Sequence, residues 1–427
     1  MRIEMLATGD ELVSGVLADT NTTWFGGALF SLGERLARTT VIGDRLDDLV
    51  SALRELAARA DLVVVSGGLG PTLDDLTVDG VCEAFDLQPV VDSEQLERIR
   101  ARFHALGRTL TPNNERQARV PDGAEVLGNE YGTATAFALE VGEPHRTRPG
   151  TCELWFLPGV PTELQGIVGD RLLPRLRRRI EAEGVHRCAR EVRCFGIPES
   201  HMDQAVVPLL AAHPHVRYGT RVPFPDAHVR LLAEGSTADE AQQRCDAIER
   251  DVRAALGDVV FGGEGETLAG ATLAALRQRG WTVCFAESLT GGLASAALAA
   301  VPGASDVLLG SSVTYAESLK ERWLDVPQDL LERHGAVSEA CAVAMAEGAL
   351  ARSGADVAVS LTGFAGPDAG DDAHPRGTVF AAIAGGGGPT SVVRQRFLFG
   401  RNDVRRIAAH LALDLLRRRA LGLRLPG

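Results

Sequence analysis

Residues 61–77 read DLVVVSGGLGPTLDDLT, an apolar run that ends in a glycine-rich turn and two adjacent aspartates. The run predicts a buried strand, and glycines at its carboxyl end let backbone amides approach an anion at the start of the next helix. Upstream, apolar runs alternate with helical patterns from RIEMLAT (2–8) to DDLVSALRELAARA (47–60). This β-α-β-α-β rhythm predicts a parallel sheet covered by helices.

The chain continues well beyond this first sheet. Its 427 residues predict two or three domains. Residues 169–258 combine strand and helix patterns in a small α+β unit, and residues 259–427 return to alternating strands and helices. We therefore predict an α/β protein whose first domain, 1–168, has three layers and a mostly parallel sheet. A small α+β domain at 169–258 and an α/β domain at 259–427 follow it.

The amino-acid composition limits the classes of protein to which the chain can belong. The 44 basic and 57 acidic residues give a net charge of -13, which disfavours general binding to nucleic acid or to anionic membranes. The seven cysteines are scattered and form no CxxC pair, so neither a disulfide framework nor a zinc site is indicated. No apolar run approaches the roughly 20 residues of a membrane span. These features predict a cytoplasmic protein.

The first sheet carries the first set of candidate residues. Because the carboxyl ends of parallel strands meet in one crevice, TGDELVSG (8–15), the following turn and SGGLGPTLDDLT (66–77) are expected to converge there. Two adjacent aspartates can hold a cation or polarise a ligand hydroxyl. A glycine-rich turn is by itself equally typical of a tight loop. The candidates for a nucleotide site are Asp10, Asn21, Gly67, Gly68, Thr72, Asp74, Asp75 and Thr77, with Asp74 and Asp75 as metal ligands.

Lys320 is the only lysine among the 44 basic residues. Arginine stays protonated in proteins, whereas burial or a helix N-terminus can convert a lysine into a neutral amine that accepts a proton. The lone lysine is therefore either a surface residue left by chance or a base. It lies in VTYAESLKERW (313–323), where a strand pattern gives way to a helix, and this position favours the neutral amine.

Further motifs in the last third have the same strand-turn-helix character. In AESLTGG (286–292), the helix amides are candidates for an anion site, although a threonine before a helix is more often a cap. Two serines, Ser288 and Ser305, are alternative partners for the lysine, and spacing does not choose between them. LTGFAGPDAG (361–370) forms another strand end. In FGRNDVRR (399–406), Arg401 is expected to precede a helix capped by Asn402 or Asp403.

These motifs support a resemblance to a known family. GDELVSG (9–15), GGLGPTLDDLT (67–77) and FLPGVPTELQ (156–165) resemble the molybdopterin-binding MoaB/MogA-like domain at the start of CinA proteins. The middle unit, with FGIPES (195–200), is similar to the KH-type domain of that family, but it lacks an evident GxxG loop among basic residues, so RNA binding is not inferred. The last four motifs resemble the C-terminal CinA domain, which also occurs alone as a nicotinamide mononucleotide deamidase.

The resemblance implies amide hydrolysis by a serine and a lysine, without a cofactor, and assigns roles by position. The catalytic candidates are Ser288, Ser305, Lys320 and Tyr315. The substrate-binding candidates are Glu287, Thr290, Gly291, Gly292, Thr362, Gly363 and Arg401. Two positions depart from the family pattern, Glu317 where many relatives carry asparagine and Ala304 where they carry serine. In some members the first domain hydrolyses ADP-ribose with a divalent metal.

Three functional hypotheses follow. The first is an amidohydrolase that converts nicotinamide mononucleotide to nicotinate mononucleotide and ammonia. The second is a nucleotide-binding regulatory protein without turnover. The third places catalysis in the first domain, as a metal-dependent ADP-ribose pyrophosphatase. All three predict small nucleotide ligands, no nucleic-acid or membrane partner, and by family analogy a homodimer.

Overall fold

The computed structural model describes residues 1–182, 184–367, 370 and 374–426. The chain divides into two compact units, Met1–Ala189 with Leu232–Gln242, and Arg190–Leu231 with Gln243–Gly427. The domain boundaries expected near residues 168 and 258 stay predictions. Three larger sheets, of six, four and five strands, follow one another along the described residues.

The first part is built around a six-stranded sheet of order β2-β1-β3-β8-β7-β6. Strands β2, β1, β3 and β8 are parallel, and β7 and β6 join antiparallel at one edge. Its elements, with a separate β4-β5 ribbon, are β1 Ile3–Thr8, α1 Asp10–Val13, α2 Thr20–Ser31, β2 Leu36–Ile42, α3 Leu46–Arg59, β3 Leu62–Ser66, α4 Thr77–Ala84, β4 Pro89–Val91, α5 Ser93–Ala105, β5 Arg119–Pro121, β6 Glu125–Val126, β7 Phe137–Val141, β8 Cys152–Leu157, α6 Pro161–Ile167 and α7 Leu173–Ala182.

Both faces of this sheet are covered. One face packs against α3 and α4 through a cluster that includes Leu53 and Val81, and the other packs against α2, α6 and α7 through a cluster that includes Phe25 and Leu164. The strands β1 and β3 are buried along their whole length, which is why they read as continuous apolar runs. The three-layer arrangement with a mostly parallel sheet confirms the prediction.

The middle elements form a four-stranded sheet of order β10-β11-β9-β12 with two main helices. They are β9 His186–Cys194, α8 Glu199–Val206, β10 Val216–Arg221, β11 Ala227–Gly235, α9 Ala238–Leu256 and β12 Val260–Gly263. Met202 of α8 and Ile248 of α9 pack against the apolar side of the strands. This agrees with the predicted small α+β unit.

The last part contains a five-stranded sheet of order β14-β13-β15-β16-β17, in which β14, β13 and β15 are parallel and β16 and β17 are antiparallel. Helices α10, α11 and α15 cover one face, and α14 covers the other. Its elements are α10 Leu268–Arg279, β13 Val283–Glu287, α11 Leu293–Ala299, β14 Leu308–Val313, α12 Glu317–Leu324, α13 Gln328–His334, α14 Glu339–Ser353, β15 Val357–Gly363, β16 Thr378–Gly385, β17 Gly388–Arg396 and α15 Arg401–Leu421.

One helix boundary differs from the expectation. Helix α15 begins at Arg401 itself, with Gly400 as its N-cap and no side-chain cap, so neither Asn402 nor Asp403 caps it. The backbone of Gly400 is extended and its carbonyl accepts from the Val404 N–H at 2.9 Å, so the N-cap lies two to three residues before the one that the polar side chains suggested. Among the described residues, no helix is long and apolar enough to cross a membrane.

Candidate active site

Register places three polar segments at one edge of the C-terminal sheet. Glu287, the last residue of β13, pairs with Val313 of β14 on one side and with Leu361 of β15 on the other. The residues that follow these three strand ends therefore meet at the carboxyl edge of the sheet. We call the resulting site, formed by residues 288–292, 314–320 and 362–363, the serine crevice.

Lys320 and Ser288 are in direct contact in the serine crevice. The Lys320 Nζ donates to the Ser288 Oγ at 3.0 Å and to the Thr314 carbonyl at 2.7 Å. Lys320 is only 1 % exposed, although it belongs to an eight-residue helix with a polar outer face. The structure thus brings together the lone lysine and one of the two candidate serines.

Burial lowers the pKa of the Lys320 ammonium below its usual value, and the nearby Cys341 thiol and Glu317 carboxylate oppose that shift. No hydrogen-bonded carboxylate for Lys320 occurs among the described residues. The neutral amine was predicted from the helix N-terminus, but the dominant cause is removal from water. When the amine is neutral, its lone pair can accept the Ser288 hydroxyl proton across the same 3.0 Å contact.

Ser305 lies elsewhere. It is an exposed residue in the short turn Ala304–Asp306, before β14 begins. Because Leu308 of β14 pairs with Val283, the first residue of β13, this turn belongs to the amino edge of the sheet. A five-residue strand spans roughly 15 Å, so within one chain Ser305 is far from the carboxyl edge where Lys320 lies.

Glu287 is fully buried, and its carboxylate binds the start of α11. It accepts from the backbone N–H groups of Gly292, Ala294 and Ser295 at 3.0, 3.1 and 2.9 Å, and from the Ser295 hydroxyl at 2.7 Å. Ser311 adds a longer hydroxyl bond at 3.3 Å. The anion site expected at these amides is therefore filled by the protein's own carboxylate, whose charge the helix start stabilises.

The glycines give the turn its shape. Gly291 and Gly292 have φ values of 59° and 97°, which a residue with a side chain rarely adopts. Gly292 is the N-cap of α11, so Thr290 does not cap this helix. The Thr290 hydroxyl is buried without a hydrogen-bond partner among the described residues, and the Thr314 hydroxyl is in the same situation. Two buried hydroxyls without a protein partner thus lie near the Lys320 contact, and such groups require an explanation.

Tyr315 and Arg401 form a pair at the exposed side of the crevice. The Tyr315 hydroxyl accepts from the Arg401 guanidinium at 2.8 Å, and Arg401 also donates to the Gly366 carbonyl. Tyr315 is 58 % exposed and Arg401 is exposed as well, so both side chains are accessible to a ligand. Tyr315 directly follows Thr314, whose carbonyl accepts from the Lys320 Nζ, and this places the pair near the Lys320–Ser288 contact.

Thr362 and Gly363 complete the candidates at the end of β15. Thr362 is fully buried, and its hydroxyl donates to the Ala336 carbonyl at 2.6 Å, which joins the strand end to the turn before α14. A Cβ on Gly363 would lie 2.5 Å from the Thr378 carbonyl oxygen, so close packing requires glycine there. Residues 368 and 369 of the predicted loop lie outside the described residues.

Sequence reasoning missed three contacts in the crevice. The Thr314 carbonyl binds the lysine, Ser295 binds Glu287, and Arg405 donates to the carbonyls of Leu289 and Thr290 at 3.2 and 3.1 Å. A backbone carbonyl leaves no sequence signal. Arg405 could have been found, because it lies four residues after Arg401 and so on the same face of α15.

The N-terminal sheet forms a second crevice at the carboxyl ends of β1, β3 and β8. Its volume is about 430 Å³, and no basic side chain is among the described residues that line it. We call it the acidic cleft after its lining carboxylates, which are Glu11, Asp44, Asp74, Asp75 and Glu163. An anionic ligand would therefore depend on backbone amides here.

The glycines of the acidic cleft allow close backbone approach. A Cβ on Gly67 would lie 2.5 Å from the Thr8 hydroxyl, and one on Gly68 would collide with the Thr77 hydroxyl. Thr77 donates to the Gly67 carbonyl at 2.9 Å. Asn21 is buried and donates to the Ser66 hydroxyl at 2.9 Å and to the Gly159 carbonyl at 2.8 Å. Thr77 and Asn21 therefore join the strand ends of this cleft.

Asp74 and Asp75 do not converge as a preformed metal site. Asp75 accepts from the Gly70 N–H at 2.7 Å and from the Thr72 N–H at 2.8 Å, and it also binds the Thr72 hydroxyl. Its oxygens are therefore used within the loop, while Asp74 is exposed. Across the described residues, no three His, Cys, Asp or Glu side chains come together as a metal-binding group. As arranged, the pair does not fit a resident divalent ion.

Asp10 and Asp44 meet at the mouth of the acidic cleft. The Asp10 N–H donates to Asp44 at 2.9 Å, and the Asp44 N–H donates to Asp10 at 3.1 Å. Burial raises the pKa of the Asp44 carboxyl; the Asp10 N–H opposes this shift, while the neighbouring carboxylates of Asp10, Glu11 and Asp74 add to it. Negative charge is thus concentrated at this mouth.

Comparison with known proteins agrees with this architecture. Residues 4–178 match the probable molybdopterin binding domain, 189–262 the damage-inducible protein CinA KH domain, and 265–420 the CinA C-terminal domain. A CinA-like protein of Myxococcus xanthus is 41 % identical over 423 residues, which cover 99 % of both chains. The chain belongs to the CinA family.

Other CinA-family members give similar matches. A CinA-like protein from an Anaeromyxobacter species is 43 % identical over 419 residues, covering 98 % of both chains. A solved CinA superfamily protein from Klebsiella pneumoniae is 35 % identical, covering 36 % of this chain and 96 % of that one, with a TM-score of 0.35. The names of these relatives give the family and state no reaction.

Proposed function

We propose that this CinA-family protein is an amidohydrolase that converts nicotinamide mononucleotide and water to nicotinate mononucleotide and ammonia. The observation that carries the proposal is the contact of 3.0 Å between the Lys320 Nζ and the Ser288 Oγ, with Lys320 buried. A buried amine of lowered pKa is the form of lysine that can activate a serine. The choice of substrate rests on the family resemblance.

The reaction proceeds in two stages. Neutral Lys320 takes the hydroxyl proton as the Ser288 Oγ attacks the carboxamide carbon, and negative charge develops on the carboxamide oxygen. The C–N bond then breaks, and the Lys320 ammonium returns its proton to the departing ammonia. This leaves an ester on Ser288. Water, deprotonated by Lys320, attacks the ester and releases nicotinate mononucleotide, and the serine recovers its proton.

The crevice supplies further groups for the substrate. The exposed Tyr315–Arg401 pair offers a hydroxyl and a guanidinium to the phosphate, since arginine binds phosphate through two parallel donors. The unpaired hydroxyls of Thr290 and Thr314 offer partners to the carboxamide. No metal takes part in this scheme.

Ammonia release by the full-length chain tests the proposal. The Lys320→Arg variant is expected to lose about 10³-fold or more in kcat, because arginine keeps its proton at neutral pH. The unaltered chain and an Arg406→Met variant serve as controls. A near-normal rate in Lys320→Arg would exclude lysine as the base.

Calorimetry separates this function from the regulatory alternative. If nicotinamide mononucleotide binds but no ammonia appears, the protein is a nucleotide sensor of the kind considered above. For the first domain, the ADP-ribose pyrophosphatase hypothesis has less support, because Asp75 is committed to its own loop. Parallel assays of the full chain with ADP-ribose, with and without added Mg²⁺, would measure that activity.

Three further predictions accompany this proposal. The ligands are small nucleotides, the protein acts in the cytoplasm, and it is a homodimer. Light scattering combined with size-exclusion chromatography measures the oligomeric state, and a mass near the monomer value of 45.3 kDa would contradict the dimer.

A further inference from the structure

The loop that follows Ser288 contains two backbone amides without an acceptor. The Ser288 N–H donates to the Leu361 carbonyl at 2.9 Å, the Gly291 N–H to the Ser288 carbonyl at 3.1 Å, and the Gly292 N–H to Glu287 at 3.0 Å. The N–H groups of Leu289 and Thr290 have no such acceptor among the described residues. Both residues are nearly or fully buried, at 4 % and 0 % exposure.

Unpaired N–H groups in a buried loop are costly, and they require an explanation. These two come directly after the serine that contacts Lys320. Hydrolases that use a serine at a strand-to-helix turn commonly stabilise the oxyanion with the N–H of the residue after the nucleophile. The carboxamide oxygen of the proposed substrate is an acceptor that would satisfy both groups.

Arg405 holds the carbonyl side of the Leu289–Thr290 peptide and of the peptide after it. Its Nε donates to the Leu289 carbonyl at 3.2 Å and its Nη2 to the Thr290 carbonyl at 3.1 Å. In a trans peptide, the carbonyl of one residue and the N–H of the next point in opposite directions. Because the Leu289 carbonyl is turned toward Arg405, the Thr290 N–H is turned away from it.

Arg405 lies on a long helix that packs against the C-terminal sheet. Helix α15 runs over 21 residues, Arg401–Leu421, and one of its faces is buried against the sheet. Asn402, three residues earlier, accepts from the Arg405 Nη1 at 3.4 Å. The planar guanidinium fixes two neighbouring carbonyls at once, which a single-point ammonium does not do.

We infer that Arg405 is a positioning residue for catalysis: by holding the Leu289 carbonyl it fixes the Thr290 N–H of the same peptide, which forms the oxyanion-binding site together with the adjoining Leu289 N–H. The inference rests on the proposed amidohydrolase function. Arg405 does not touch the reacting atoms; it acts through the peptide groups of the loop. Its removal should therefore weaken stabilisation of the transition state more than binding of the substrate.

The test compares Arg405→Met and Arg405→Lys with the unaltered full-length chain. The matched control is Arg406→Met, which removes an exposed arginine from the same helix that contacts Asp403 and Phe224 instead of the loop. We expect Arg405→Met to lower kcat about 10²-fold while KM changes less than about threefold. Arg405→Lys should recover only part of the loss, and Arg406→Met should stay within about twofold.

A second substrate distinguishes positioning from phosphate binding. If Arg405 instead contacted the phosphate, Arg405→Met would raise KM for nicotinamide mononucleotide and leave the kinetics of nicotinamide riboside unchanged, and Arg405→Lys would restore KM. That pattern overturns the inference. The positioning role predicts the same fractional loss of kcat with both substrates.

Binding measured without turnover excludes simple misfolding. In a Ser288→Ala background, calorimetry should give the same Kd for nicotinamide mononucleotide with and without Arg405→Met. A lost affinity, or an unchanged kcat in Arg405→Met, contradicts the positioning role while the proposed function stands. If the unaltered chain releases no ammonia, the proposed function fails, and this inference fails with it.

Discussion

The turn after β3, residues 67–75, and the turn after β13, residues 288–292, both follow a buried parallel strand and lead toward a helix. In both, a carboxylate binds backbone amides of its own loop, Asp75 in the first and Glu287 in the second. They differ in what faces the crevice. The acidic cleft presents carboxylates, whereas the serine crevice presents a buried amine beside a hydroxyl.

The difference shows that a glycine-rich turn does not by itself predict which reaction a site can perform. A strand-turn-helix pattern fixes where a crevice forms, because strand ends and helix starts converge there. The chemistry that a crevice can support depends on which of its side chains are desolvated. Lys320 is 1 % exposed and accordingly has a lowered pKa, while the five carboxylates of the acidic cleft are half-buried or exposed.

The largest expected effect lies in the serine crevice itself. Ser288→Ala should reduce ammonia release about 10³-fold or more, because it removes the nucleophile in contact with Lys320. Ser305→Ala should stay within about twofold, since Ser305 lies at the other edge of the sheet. Steady-state kinetics of the two variants measure this contrast. If Ser305→Ala lost more activity than Ser288→Ala, Ser305 would be the nucleophile, and the assignment based on the 3.0 Å contact would be wrong.

The next effect concerns stability. Glu287→Ala should lower the free energy of unfolding by about 3 kcal/mol, because it leaves several buried donors at the start of α11 without an acceptor. Urea unfolding followed by circular dichroism measures it. Ser311→Ala removes only the longest of these bonds, at 3.3 Å, and is the matched control. Equal stability of the two variants would show that the carboxylate is not the main anchor of this turn.

Unlike Glu287, Lys320 should lower the free energy of unfolding, because its ammonium is buried. Because its pKa is lowered in the fold, the unfolded chain binds more protons between the folded pKa and the ordinary value of 10.5. Stability therefore rises with pH across that window, and the cost of burying the ammonium is largest below it. Lys320→Met should raise the free energy of unfolding by about 1 kcal/mol near neutral pH, while it abolishes activity.

The pH dependence provides the check on Lys320. The stabilisation by Lys320→Met should shrink as the pH approaches 10.5, and kcat/KM of the unaltered chain should rise with pH through the lowered pKa to a plateau. Denaturant unfolding at several pH values and a pH-rate profile measure the two trends. A stability difference independent of pH would mean that the amine titrates as it does in water.

The smallest effect is expected in the acidic cleft. Asp75→Ala should lower the free energy of unfolding by about 1 kcal/mol, because it removes the acceptor for the Gly70 and Thr72 amides on a half-exposed loop. Ammonia release should not change. Asp74→Ala, at an exposed neighbouring position, is the control for stability. A loss of ammonia release in Asp75→Ala would show that the two crevices are functionally coupled.

Much of the fold could be predicted from the sequence, because apolar periodicity and glycine turns are local properties. The continuous apolar runs of β1 and β3 predicted a buried parallel sheet. The strand and helix patterns of the middle unit likewise predicted its α+β fold. The start of α15 was misplaced, since a cap depends on backbone geometry at Gly400 as much as on side-chain type. The site could be predicted only in part, because contacts such as Arg405 with the Leu289 carbonyl join residues 116 positions apart.

By itself, the sequence determined that one lysine stood among 43 arginines and that polar residues followed the strand ends. Only the tertiary structure brought Ser288, and not Ser305, into contact with Lys320 within one chain, and only it showed the Glu287 carboxylate bound to the start of α11. The reason is physical. Residue type sets which protonation states are available, but desolvation and hydrogen-bond partners come from segments far apart in the chain, and these select the state that forms.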